Sequence, residues 1–128
     1  MSIEPTIKCS DISASIEFYT QILDFGVLVA PDPDPSAFMS KYACLEREGD
    51  CVHLSSHAGD GCFGGLFYVR VDDIDKLYAG FTENGLDINM PCSGAGLRIA
   101  PVDQTWGMRE FSVVDPDGNK LTFGHELS

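Results

Sequence analysis

Residues 106–119 read Trp106-Gly107-Met108-Arg109-Glu110-Phe111-Ser112-Val113-Val114-Asp115-Pro116-Asp117-Gly118-Asn119. The second half of this stretch is dense turn chemistry. Pro116 presets φ for one corner, Gly118 accepts positive φ, and the Asp and Asn side chains can bond the local backbone. Strand-forming residues flank the turn, 110–114 before it and 120–123 after it. The local reading is a β-hairpin near the C-terminus, with the only tryptophan of the chain at its entrance.

Upstream of this hairpin the chain reads as two similar halves. Residues 5–9 form a short strand, and Ser10 and Asp11 offer an N-cap. Ile12, Ile16, Tyr19, Ile22 and Leu23 then fall at helical spacing, with Phe18 beside them. Residues 24–30 are a second strand. Pro31, Pro33 and Pro35 break regular structure, and Asp32 and Asp34 between them make the segment an acidic loop. Residues 42–46 and 51–56 flank Glu48-Gly49-Asp50 as a hairpin. The second half repeats the order: a strand at 66–71, an Asp72-Asp73 cap, a helix from Ile74 to about Asn84, and Gly85 as its stop. A short strand near Asp87, a loop at 91–96 and the quoted hairpin follow. Ile12 matches Ile74 and Thr20 matches Thr82, so a βαβββ unit is duplicated. The expected fold is α+β: two βαβββ modules forming curved mixed sheets with helices outside. A ferredoxin-like sandwich and other α+β folds are the alternatives.

Composition bounds the answer. A chain of 128 residues suits one domain, 1–128, with module one at about 1–60 and module two at about 61–128. No apolar run reaches membrane-span length, and the N-terminus lacks signal-peptide character. Five cysteines form no C-x-x-C pair, which favours reduced thiols and a cytoplasmic location. Twenty acids against eight Lys and Arg give a formal net charge of −12. Such a surface repels nucleic acid and anionic membranes and attracts cations; solubility alone is the other explanation.

The 106–119 string also resembles the C-terminal signature of bleomycin resistance proteins. These belong to the vicinal oxygen chelate superfamily, with lactoylglutathione lyases and extradiol dioxygenases. Asp11-Ile12, Phe18-Tyr19 and Leu23-Asp24-Phe25 resemble the opening of the first module of that family, with Asp24 in place of its usual Gly. Residues 69–74, Val-Arg-Val-Asp-Asp-Ile, resemble the opening of the second. The Trp-Gly-x-Arg-Glu-Phe lead-in is similar to the drug-binding branch in particular.

Catalytic members of that superfamily hold a divalent ion with His and Glu from four strands. Counted from the matching motifs, these positions fall at Glu4, His53, Leu66 and Thr122. Leu66 cannot ligate and Thr122 is a poor neutral ligand. The remaining pair is short of the three or more protein ligands usual for a catalytic ion, so neither a metal nor another cofactor is expected. His53 and His57 have H-x-x-x-H spacing, but on a strand four residues span about 13 Å, too far for one ion. His53 reads instead as the lining of a cavity, or as an ordinary surface or core His. Ser93-Gly94-Ala95-Gly96 has neither a strand before it nor a helix after it, which argues against a phosphate loop.

The resemblance implies a non-catalytic protein that sequesters bleomycin-type cationic glycopeptide antibiotics. Trp106 and Phe38 would stack on flat rings, with Phe63 a third aromatic candidate. Asp32, Asp34 and Asp60 would attract a cationic tail. Each aromatic has simple packing as its alternative. The expected partner is a cationic aromatic small molecule, in a homodimer, without nucleic acid or membrane. The rival readings are a metal-dependent lyase or dioxygenase, and a small-metabolite binding protein on the same fold.

Overall fold

Asp11 and Asp73 stand one residue before a helix and use their carboxylates in the same way. Each Oδ1 accepts the backbone N–H three residues on, from Ala14 and from Lys76, both at 3.1 Å. This bond satisfies one of the donors that a helix start leaves without a partner. The computed structural model, which describes residues 1–89 and 99–128, carries that repetition through two compact units. One comprises Met1–Gly65 with Pro116–Gly118, the other Leu66–Asp115 with Asn119–Ser128. The expected loop at 91–96, the Ser93–Gly96 segment and Cys92 lie outside the described residues.

The first unit runs β1 (Thr6–Lys8), α1 (Ile12–Glu17), β2 (Gly26–Val29), β3 (Tyr42–Arg47) and β4 (Asp50–Ser55). Its sheet order is β1-β4-β3-β2, with β1 parallel to β4 and the other pairs antiparallel. The β3–β4 turn places Glu48 and Gly49 at φ of 52° and 87°, and glycine meets the second of these demands without strain. Helical character continues past α1 as a wider turn over Phe18–Ile22. The Thr20 hydroxyl donates to the Ile16 carbonyl at 2.7 Å, and the Leu23 N–H reaches back five residues to Phe18 at 3.4 Å. α1 packs on β3 and β4. Ile7, Tyr19, Leu23, Leu45 and Leu54 are buried in the core of this unit.

The second unit runs β5 (Leu66–Arg70), α2 (Ile74–Glu83), β6 (Val102–Asp103), β7 (Met108–Val114) and β8 (Lys120–Glu126). Its order, β5-β8-β7-β6, repeats the first sheet, with β5 parallel to β8. Gly85, at φ 103°, ends α2 as expected. Ile74, Phe81, Phe111, Val113, Leu121 and Phe123 fill the core. The architecture is therefore α+β: among the described residues, two mixed four-stranded sheets with two α-helices.

One local expectation is corrected. The strand placed near Asp87 is a turn, because the Asp87 carboxylate accepts the Asn89 N–H at 3.0 Å; the strand beside β7 is β6 instead. At the C-terminal end, His125 and Glu126 close the β7–β8 ladder opposite Arg109 and Met108. The quoted turn holds itself together: the Asp115 Oδ1 and Oδ2 accept the Asn119 N–H and side-chain amide, both at 2.9 Å. Its tip groups with the first unit, where Asp117 accepts the Ser10 N–H at 3.1 Å and hydroxyl at 2.6 Å. Among the described residues no helix is long and apolar enough to cross a membrane.

Candidate functional site

In the first unit the parallel pairing of β1 with β4 sets Thr6 opposite His53. Glu4, just before β1, accepts from the His53 Nε2 at 2.7 Å, and the Tyr42 hydroxyl meets the Nδ1 at 2.5 Å. The imidazole is thus fixed from both edges, and the Tyr42 ring stacks on it at 5.7 Å. These three residues line a cavity of about 380 Å³ with Thr6, Ser55 and Asp60. Asp60 accepts the Ser55 hydroxyl at 2.8 Å. Burial pushes the Tyr42 hydroxyl above its usual pKa.

The second sheet uses the same register with different chemistry. Tyr68 stands opposite Thr122 as Thr6 stands opposite His53, and Glu110 pairs with Gly124 as Tyr42 pairs with Ser55. Glu110 is 9% exposed. Its Oε2 accepts both the Tyr68 hydroxyl, at 2.7 Å, and the Trp106 indole N–H, at 3.1 Å. Burial, then the hydrogen bond to Glu110, pushes the Tyr68 pKa up to about 12. Behind β7, Arg109 is clamped by Asp75 at 2.9 Å and Asp103 at 2.8 Å, which raises its already high pKa further. That ion pair ties α2 and β6 to β7.

The superfamily's metal positions fit a catalytic ion poorly. Glu4 and His53 do meet. Leu66 is an exposed apolar side chain, and the Thr122 hydroxyl is bonded to that of Ser112 at 2.7 Å. Among the described residues no group of three or more His, Cys, Asp or Glu converges as a metal site.

The other anticipated residues lie in the first unit, several of them linked through His57, whose carbonyl accepts the Lys8 ammonium at 3.0 Å and the Asp60 N–H at 3.3 Å. Phe38 is 74% exposed and stacks on His57 at 4.0 Å. Phe63 lies under the Lys8 ammonium at 5.4 Å. Asp32 borders a second cavity, of about 590 Å³, beside Ile12, Ile16, Pro33 and Lys41. Asp34 builds its own turn, accepting the Ser36 N–H at 3.0 Å and hydroxyl at 2.8 Å, and those bonds lower its pKa. Of the residues grouped by sequence, Trp106 belongs to the second unit and the others to the first. Glu110, Tyr68, Tyr42 and Gly124 were not singled out by sequence. Glu110 lies within the quoted stretch, four residues after Trp106, but its partner Tyr68 becomes visible only with the strand register.

A family model described as Glyoxalase/Bleomycin resistance protein/Dioxygenase superfamily matches residues 4–123. No curated protein sequence matches the chain significantly. Among solved structures, a bleomycin-binding protein complexed with bleomycin is similar at TM-score 0.73 and 23% identity, covering 98% of each chain. A bleomycin resistance determinant encoded on the transposon Tn5 gives 0.74 and 23%, again over 98% of each. A glyoxalase-related enzyme from Clostridium phytofermentans gives 0.74 and 22%, over 99% of this chain and 95% of that one. At such identities the structural likeness speaks for the fold alone, and binding proteins and enzymes share it. The match of the family model over nearly the whole sequence shows that this chain belongs to the Glyoxalase/Bleomycin resistance protein/Dioxygenase superfamily.

Proposed function

We propose that the protein is a non-catalytic binder that sequesters a flat, cationic antibiotic of the bleomycin type. The observation that carries this reading is Trp106: its indole is 64% exposed, yet hydrogen-bonded to Glu110 and so held in place. An oriented, exposed indole is suited to stacking on a flat heteroaromatic ring. Phe38 offers a second exposed ring in the first unit, and the acidic surface attracts a cation. Leu66 and Thr122 at two metal positions favour binding over metal-assisted chemistry. The resemblance of residues 106–119 to the signature of bleomycin resistance proteins suggests the ligand class. We place the protein in the cytoplasm as a single domain of two modules, acting as a homodimer with two equivalent sites.

Trp106 is the sole tryptophan, so its fluorescence reports the encounter. Bleomycin should quench it saturably, and the dissociation constant should rise with salt. No quenching at millimolar bleomycin with folded protein would remove the antibiotic. Sedimentation near the 13.9 kDa of one chain at micromolar concentration would remove the dimer.

A further inference from the structure

The second unit contains a charged group whose surroundings packing does not explain. Glu110 is almost fully buried, yet no described cation pairs with it. Its sequence neighbour Arg109 is taken by Asp75 and Asp103, and Arg70 is paired with Glu126 at 3.1 Å. Burying a carboxylate without a counter-charge is costly. Both donors it does have, Tyr68 and Trp106, converge on Oε2. Among the described residues nothing donates to Oε1.

The two donors are themselves unusual. Tyr68 is 49% exposed, and neither its ring nor that of Trp106 stacks on a described aromatic. Tyr68 and Trp106, 49% and 64% exposed, thus present ring surface to solvent. The backbone is also cleared for the arrangement. Tyr68 on β5 reaches Glu110 on β7 by crossing β8 at Gly124. A Cβ there would lie 2.3 Å from the Tyr68 hydroxyl oxygen and 3.2 Å from the Glu110 Cγ. Ser55 fills the equivalent position of the first sheet, where no such crossing occurs.

We propose that Glu110, Tyr68 and Trp106 form a recognition site for a substituted ammonium group, neutralised by the Glu110 carboxylate and covered by the two exposed rings. Aromatic faces attract such cations, and a partly desolvated carboxylate strengthens the attraction. The site holds whether or not the natural ligand is a bleomycin-type drug. It differs from attraction by the acidic loop, which is exposed and belongs to the first unit.

The test uses choline chloride and its uncharged carbon isostere, in which a tert-butyl group replaces the trimethylammonium. Both are titrated against the Trp106 fluorescence of the intact protein at constant ionic strength, with sodium chloride as control. Choline should give a saturable change and bind at least about tenfold more tightly than the isostere. Glu110→Gln keeps an acceptor for both rings and removes the charge, and it should erase the preference. The proposal is overturned if choline and the isostere bind alike, if choline gives no saturable change, if sodium reproduces its effect, or if Glu110→Gln still discriminates. The two-probe comparison on the unaltered protein decides the matter even if the variant misfolds. Choline discrimination without bleomycin binding would keep this site and remove the antibiotic. Bleomycin binding without discrimination would do the reverse.

Discussion

The two sheets share one order and one register, yet their equivalent positions have been put to opposite uses. In the first, Glu4 and Tyr42 pin His53 from both ring nitrogens inside a cavity. In the second, the places of Glu4 and His53 are held by Leu66 and Thr122, and the polar centre has moved to Glu110, the counterpart of Tyr42. Duplication supplies a scaffold, and each copy's side chains then decide the chemistry. A superfamily metal site needs ligands from both copies. Of the four positions the resemblance assigns to metal ligands, Glu4 and His53 carry side chains of the types that ligate, and Leu66 and Thr122 do not.

The cores differ as well, and the largest expected effect tests that. Phe81 meets Phe123 at 5.3 Å and Phe111 at 6.0 Å, so α2 is fastened through a ring cluster. Phe81→Ala should cost about 3–5 kcal/mol in urea denaturation. A loss below about 1 kcal/mol would mean that this cluster is not the core of the second unit. Next in size is the stacking contact. Trp106→Ala should weaken bleomycin binding by about 1–3 kcal/mol, read by calorimetry because the fluorophore is gone.

A spectroscopic difference between the units comes next. Tyr68 holds its proton up to about pH 12, against an ordinary value of 10.0. Above pH 10 the unfolded chain ionises this group while the folded chain does not, so stability present below pH 10 is lost as pH rises through about 12. Tyr68→Phe should remove the latest tyrosine in an absorbance titration and flatten part of that loss. Tyr42→Phe should leave the latest step in place. A late step that survives Tyr68→Phe would contradict the Glu110 bond. The smallest effect concerns the acidic loop. Asp34→Asn should flatten the salt dependence of bleomycin binding while leaving the Trp106 quenching intact. Full salt sensitivity in that variant would place the attraction elsewhere.

Much of the fold was legible because its signals are local. Asp11 and Asp73 announce their helices, Gly85 ends one, and Asp115 to Asn119 close a hairpin, each through contacts within a few residues. Asp87 misled because an Asp beside apolar residues suits a turn as well as a strand edge, and the side-chain bond to Asn89 decided it. Other contacts are remote in sequence: the His125 Nδ1 accepts the Ile74 N–H at 2.9 Å, a partner 51 positions away. The site was harder for the same reason. Trp106 stood out as the lone tryptophan. The Tyr68–Glu110 bond spans 42 positions and depends on a glycine in a third strand. Neither periodicity nor composition encodes such a crossing. Asp32 and Asp34 stood out by charge, and their local bonds, Asp34 N–H to Asp32 and Ser36 N–H to Asp34, became visible only with the fold.

Calorimetric titration of the intact protein with bleomycin, repeated with Trp106→Ala, tests the central claim most directly. Saturable binding to the natural sequence, about tenfold or more weaker in the variant, is the predicted result. Absence of heat at millimolar bleomycin, or equal affinity in both proteins, would contradict an account in which Trp106 is the stacking platform of a drug-binding protein.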